Sequence, residues 1–324
     1  MAGVQWPDSW NTLPNSASVA EAGAVIFRGT RPAMGSAARL GNYKIVGSAS
    51  FNYEYELTIN AFQTLNKRMP YTYRQQREIF HFLFLERLLK ISDARLFVLK
   101  GGVNLRFFFN SPRYSQVMDL DVLGGSVATL KKNGYRILED PAFARSLATF
   151  GIAELIVNDP SKAKHSTTTQ RFRARLVTTG GDVYPTQVEF SRRGSEHEYV
   201  TETIDPGIAR PYRRLAFACQ HYPGRSAALQ KLDALANRTE IQVRDAFDLY
   251  VLWLGGHLTP EVTGSITQAV RKRAIENVLA FSYADYQGQV LDYLEPEVLT
   301  RFAPERVWNE ICETLLRLLE DKRS

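Results

Sequence analysis

One stretch constrains the fold of this chain more than any other: FVLKGGVNLRFFFNSPRYSQVMDLDV, residues 97–122. The apolar run from Arg95 to Leu99 predicts a short strand. Gly101-Gly102 breaks it, and Val103 to Phe109 reads as a helix. Met118 to Leu123 then predicts a second strand that carries two acids, Asp119 and Asp121. Residues i and i+2 of a strand share a face, so both carboxylates project together while Met118, Leu120 and Val122 face a core. Two like charges side by side are unfavourable unless a cation compensates them. A hard divalent cation prefers such carboxylate oxygens together with water and phosphate. The plainer alternative is two solvated acids on an exposed strand face. Because Asp is depleted in strands, two of them inside an apolar run favour the metal reading.

The glycines have their own chemistry. Backbone N–H groups at a helix N-terminus bind phosphate, and glycine allows close approach. A lone Gly-Gly is usually only a turn, but its place between strand and helix, just ahead of the Asp pair, gives it weight. Asn104 is expected to add a side-chain donor, with Lys100 and Arg106 as nearby charges.

The rest of the chain divides by composition. Residues 1–50 are rich in Ala, Gly, Ser, Asn and Pro, with Trp6 and Trp10 as possible anchors, and read as a poorly defined extension. Residues 51–210 read as an α/β domain. Tyr73 to Lys90 is a helix by its apolar spacing, Ala153 to Val157 a strand, and 171–179 with 183–191 a hairpin closed by Gly180-Gly181-Asp182. Asp205-Pro206-Gly207 and Arg210-Pro211 mark a boundary. Beyond it strand signals vanish, and helices are expected at 225–237, 243–254, 260–280, 284–294 and 304–321. The fold class is therefore α/β, followed by an all-helical C-terminal domain at 211–324. At 324 residues and 44% hydrophobic, the chain needs no covalent staple. Its two cysteines, Cys219 and Cys312, have no metal spacing, which favours a reducing, cytoplasmic setting. No apolar run is long enough to span a membrane, and no secretory signal is evident. The net charge of +6 suits a polyanionic partner, although many basic enzymes bind no nucleic acid.

Further chemistry-bearing residues lie downstream. Glu189, in VEFS, is the best third carboxylate for a two-metal site, ahead of Glu154 and Asp182. Lys231, in LQKLDALANR, shares a helix face with Arg238; Arg244, Asp245 and Asp248 open the next helix. By spacing alone these form a surface ion-pair network, but a lysine oriented by an Asp of the neighbouring helix would also suit a triphosphate. The basic residues Arg192, Arg193, Arg210, Arg213, Arg214 and Arg225 could grip a nucleic-acid backbone or simply be solvated. The five histidines show no catalytic or metal spacing.

Taken together, 97–122, the run KLDALANRTEIQVRDAFDLYVL and Glu189 in VEFS resemble the AbiEii/AbiGii nucleotidyltransferase toxins of bacterial abortive-infection toxin–antitoxin systems. These belong to the DNA polymerase β-like superfamily, and the resemblance spans roughly residues 75–320. It implies a polymerase β-like domain with a mixed sheet. It further implies Gly101 and Gly102 at the nucleotide phosphates, with Asn104 alongside, and Asp119, Asp121 and Glu189 as ligands of Mg²⁺ or Mn²⁺. Lys231 would bind the NTP triphosphate, and Asp245 or Asp248 would complete the catalytic set. The implied activity is transfer of a nucleotide from an NTP to an RNA acceptor, a tRNA end being the expected target, in a toxin with a cognate antitoxin in antiviral defence. A protein side chain or small molecule as acceptor, or an inactive RNA- or partner-binding module, are the alternatives. The chain departs from the family at two points. Val103 stands where a Ser or Thr is usual after Gly-Gly, and the Asp pair begins two residues later than usual, at 119 rather than at Val117.

Overall fold

The structure is a computed structural model that describes residues 71–161, 163–194 and 196–320. The extension expected at 1–50, with Trp6 and Trp10, lies outside the described residues, which all fall in one unit, Met69–Ser324.

Helix α1 (Tyr73–Ile91) begins on a capping box: Thr72 Oγ1 accepts from the Gln75 backbone and Gln75 Oε1 accepts from that of Thr72. The apolar stripe read from the sequence faces the core, and the charged Arg77 and Glu78 that lie between its positions are buried too. Each has a partner. Arg77 donates to the carbonyl of Pro185, while Glu78 accepts from Arg106 (2.5 Å) and Tyr212 (2.6 Å). Arg106, expected near the phosphates, therefore belongs to this core network.

Strands β1 (Phe97–Lys100), β2 (Val117–Val122), β3 (Ile152–Val157), β4 (Thr169–Thr178), β5 (Val183–Ser191), β6 (Val200–Thr203) and β7 (Ala218–His221) form a mixed sheet in the order β3-β4-β5-β2-β1-β7-β6. β2 runs parallel to β5, and β1 to β7; the other pairs are antiparallel. Helix α2 (Gly101–Phe108) starts directly at the end of β1. Helices α3 (Val127–Leu138) and α4 (Pro141–Ala148), which the sequence left unassigned, lie between β2 and β3. The buried face of the sheet carries Phe97, Leu99, Met118, Leu120, Phe172, Leu176, Val188 and Phe190 in one apolar cluster with α1. The opposite face carries the carboxylates.

Register fixes where those carboxylates meet. Asp119 lies opposite Lys100 on β1 and opposite Glu189 on β5, and Glu189 in turn lies opposite Arg171 on β4. The two-residue displacement of the Asp pair preserves this geometry, because a shift by the pleat repeat keeps a side chain on its face.

The sequence expectation of an all-helical 211–324 is corrected by β7, which lies in that span and pairs with both β1 and β6. Its four residues, Ala-Cys-Gln-His, are too short to show alternation. The region is helical from α5 (Gly224–Asn237) onward, through α6 (Val243–Leu254), α7 (Gln268–Ala280), α8 (Tyr283–Gln289), α9 (Pro296–Phe302) and α10 (Glu305–Glu320). The helix expected at 260–280 is two pieces: a short turn at Pro260–Gly264, then α7, capped by Thr267. The helix expected at 284–294 gives way after Gln289 to a tighter turn at Leu291–Tyr293. Among the described residues, no helix is long and apolar enough to cross a membrane.

Candidate active site

The sheet supplies one wall of the site. Gly101 takes φ +67°, and a Cβ there would stand 2.7 Å from Asp119 Oδ2. Only glycine both adopts this backbone and lets α2 begin against the carboxylate. Asp121 is nearly buried and held at both oxygens, by Lys100 Nζ (2.6 Å) and by the Tyr222 hydroxyl (2.7 Å). Glu189 is held by Arg171 (2.6 Å) and by Gln187 (3.2 Å). Among the described residues, no hydrogen bond or ion pair engages the carboxylate of Asp119. Burial pushes its carboxyl above the ordinary value; Lys100 pulls it back and neighbouring Glu189 pushes it up again.

Helices α5 and α6 supply the other wall. Asp245 and Asp248 have no solvent exposure at all. A buried carboxylate is tolerated only when paired, and both are. Lys231 Nζ reaches Asp245 (2.7 Å) and Asp248 (2.6 Å). Arg238 closes on the far oxygen of Asp245 (2.7 Å), and Arg113 forks onto Asp248 with contacts of 2.8–3.1 Å. Burial raises the Asp248 carboxyl, but Arg113 and Lys231 more than offset this and hold it below the ordinary range. The network expected at the surface is thus an interior frame that aims one ammonium group. Both acids serve that frame, so neither faces the site directly.

The walls enclose a cleft of about 1060 Å³. Lys100, Gly101, Asp119, Asp121 and Glu189 line it from the sheet; Lys231, Arg238 and Arg244 line it from the helices. Arg193 and His197 also line it, whereas the basic stretch at 210–214 does not. Glu154 is exposed on β3 and Asp182 at the hairpin turn, both away from it.

One expected residue, Asn104, lies outside the cleft. Asn104 is 1% exposed, its amide donating to the Tyr222 carbonyl and facing His221 Nδ1 at 3.0 Å. It braces the segment that positions Tyr222 and offers no phosphate donor. Val103 packs in the core, so the hydroxyl usual after Gly-Gly has no place in the cleft here. Glu189 is adjacent to Asp119 but bound to Arg171. Among the described residues, no three His, Cys, Asp or Glu side chains converge as a metal-ligand set. Asp119, with its carboxylate unengaged, is the acid best placed to meet a divalent cation; Asp121 beside it would share its oxygens with Lys100 and Tyr222, and Glu189, whose contacts with Arg171 and Gln187 both fall on Oε2, keeps Oε1 without a partner among the described residues. Mg²⁺ is commonly held by one or two carboxylates and completed by water and substrate phosphates. Sequence reading missed Arg113 and Tyr222. The only sequence signal for either was Arg113 in its Arg-x-Ser run ahead of the Asp pair.

Among solved structures, the chain is similar to JHP933 from Helicobacter pylori at 18% identity, over 77% of this chain and 94% of that one, with a TM-score of 0.45. It is also similar to a candidate nucleotidyltransferase from H. pylori at 16% identity, over 78% of this chain and 100% of that one, with a TM-score of 0.46. No curated protein matches significantly by sequence. The family described as the nucleotidyl transferase AbiEii toxin of type IV toxin–antitoxin systems matches residues 83–323. With that match spanning most of its length, the chain belongs to the AbiEii family of nucleotidyltransferase toxins.

Proposed function

We propose that the chain transfers a nucleotide from an NTP to an RNA acceptor, a tRNA end foremost, with a divalent cation held by Asp119 and Asp121. The observation that carries this is the unengaged Asp119 carboxylate at the Gly101-Gly102 turn, facing Lys231 across one cleft. In this reading the parts 51–210 and 211–324 each supply one wall. When bound, the cation supplies Lewis-acid activation and charge neutralisation at phosphate oxygens.

The protein's own residues do the rest. The backbone amides at the start of α2 face the phosphates, with Gly101 permitting their close approach. Lys231, fixed between Asp245 and Asp248, meets the triphosphate, and Arg244 adds positive charge from the same wall. The acceptor hydroxyl attacks the α-phosphorus in line. A new P–O bond forms to the acceptor, the bond to the bridging oxygen breaks, and pyrophosphate departs with that electron pair. The hydroxyl proton leaves to solvent. Electrostatic stabilisation and positioning of this kind account for most of the acceleration in such transfers. The family's system implies a cognate antitoxin, and the same cleft is the surface whose blockage would silence the chain.

Transfer from each α-³²P-labelled NTP, with Mg²⁺ or Mn²⁺, into total bacterial RNA and into the protein itself tests this reading. Asp119→Asn is the control, since that carboxylate has no protein partner whose loss would disturb folding. A labelled tRNA-sized band in the wild type and at least a hundredfold less in Asp119→Asn is expected. Label confined to the protein, or an undiminished Asp119→Asn, would overturn it.

A further inference from the structure

The cleft has a neighbour. A second groove of about 730 Å³ crosses the open face of β3, β4 and β5, lined by Gln116, Lys164, Arg171, Arg173, Arg175 and Gln187, among others. Val117, Arg171 and Gln187 line both, so the two are continuous. Strand β4 alternates cleanly: Phe172, Ala174 and Leu176 are buried, whereas Arg171, Arg173 and Arg175 stand on the open face. Like charges at i, i+2 and i+4 on one strand repel and contribute nothing to the core.

Arg171 has a partner, Glu189. Among the described residues, the Arg173 side chain donates to the Gln187 side chain alone (2.9 Å). Among the described residues, neither Arg173 nor Arg175 pairs with a carboxylate. Among the described residues, Asp159 is the single acid lining the groove, against Lys164 and the three arginines. The nucleotide cleft itself is mixed in charge, with Asp119, Asp121, Glu189, Glu196 and Asp233 among its lining. Of the two, the more strongly basic is this groove.

Its direction is set by register. Asp119, Glu189 and Arg171 are successive cross-strand neighbours, so Arg171 sits two strand spacings, about 10 Å, from the reacting centre. Arg173 and Arg175 continue away from it in steps of about 7 Å, a repeat that consecutive phosphates of an extended strand can follow.

We propose that the β4 arginine ladder, Arg171-Arg173-Arg175 with Lys164, is the track that holds the phosphate backbone of a nucleic-acid acceptor and leads its end to Asp119. This rests on the transferase reading for the reaction but not for the binding. The contacts are to phosphate, so the track contributes affinity rather than sequence preference.

The test measures binding and transfer separately. Arg173→Gln/Arg175→Gln removes the two exposed arginines and leaves Arg171 on Glu189. Arg273→Gln/Arg306→Gln removes the same charge from exposed positions that line neither groove. Binding of a fluorescent tRNA-sized RNA is followed by anisotropy in EDTA without NTP, across salt concentrations. The ladder variant is expected to bind about tenfold more weakly, with a salt slope smaller by about 1.5, while the distal control matches wild type. In transfer assays its KM for RNA rises about tenfold while KM for NTP is unchanged. If wild type and both variants bind RNA equally, the proposal is overturned. If the ladder variant loses binding but no wild-type transfer to RNA occurs, the track stands and the assigned reaction fails instead. Equal weakening in both double variants would mean net charge alone is sensed, and would also overturn it.

Discussion

At the residue scale, the buried polar groups of this protein are governed by what each can find as a partner. His81 is fully buried on α1, 3.0 Å from the Thr186 hydroxyl, and burial brings its pKa down to about 3. The folded state therefore binds no proton there in the range where the unfolded chain, near pH 6.5, already does. Stability from this group is complete above about pH 6.5 and is lost as pH falls toward 3, at up to about 1.4 kcal/mol per pH unit. Urea unfolding at pH 7, 6, 5 and 4 is expected to show that slope in the wild type and a shallower one in His81→Gln. An identical slope in both would remove His81 as its source. Asp248 acts in the same direction at lower pH. Its depressed carboxyl contributes stability above about pH 4 that vanishes as the group protonates.

At the element scale, α6 matters because it is buried almost all round yet carries two acids. Breaking one arm of such an ion-pair frame leaves an uncompensated buried charge, which typically costs about 3–5 kcal/mol. Arg113→Met leaves Asp248 Oδ1 buried without a donor while Lys231 holds only Oδ2, and is therefore expected to lower unfolding free energy by up to about that much and to weaken transfer, since one of the two acids that orient Lys231 is loosened. Lys231→Met separates the two effects. Arg113 and Arg238 still neutralise Asp248 and Asp245, so the stability loss should be smaller while transfer falls at least a hundredfold. Urea denaturation and single-turnover rates on both variants check the pattern; equal stability losses would mean that the lysine, not Arg113, anchors the frame. The arginine was hidden from sequence reading because its partner is 135 positions away.

At the scale of the whole molecule, the cleft joins a sheet wall to a helical wall, and an NTP with its metal would bridge them. A ligand that binds only the folded state at a hundred times its Kd stabilises by about 2.7 kcal/mol. For a chain of this size, that is a rise of a few degrees in Tm. Thermal unfolding with NTP and Mg²⁺ together should show this shift in the wild type and lose most of it in Asp119→Asn. A full shift in that variant would place the nucleotide elsewhere.

Periodicity and local chemistry made much of this legible in the sequence. The helix α1, the hairpin of β4 and β5, the strand bearing Asp119 and Asp121 on one face, and the glycine turn before α2 all follow from patterns within about ten residues. Such patterns report which way a side chain faces relative to its own backbone, and that is local. They do not report what it meets. Asn104 turned inward to His221, 117 positions away, while Glu189 was taken by Arg171 across the hairpin and Asp245 with Asp248 sank beneath Lys231 of the neighbouring helix, pairings set by strand register and helix packing. Tyr222 reached Asp121 across 101 positions, and β7 became a strand only because β1 and β6 offered it edges. The sequence by itself determined the strand, glycine turn, hairpin and helices that carry the candidate chemistry, and the residue types they bear. Tertiary packing decided which groups are engaged, because burial makes an unpaired charge too unfavourable to keep, and it left Asp119, part-exposed at the cleft, unengaged among the described residues.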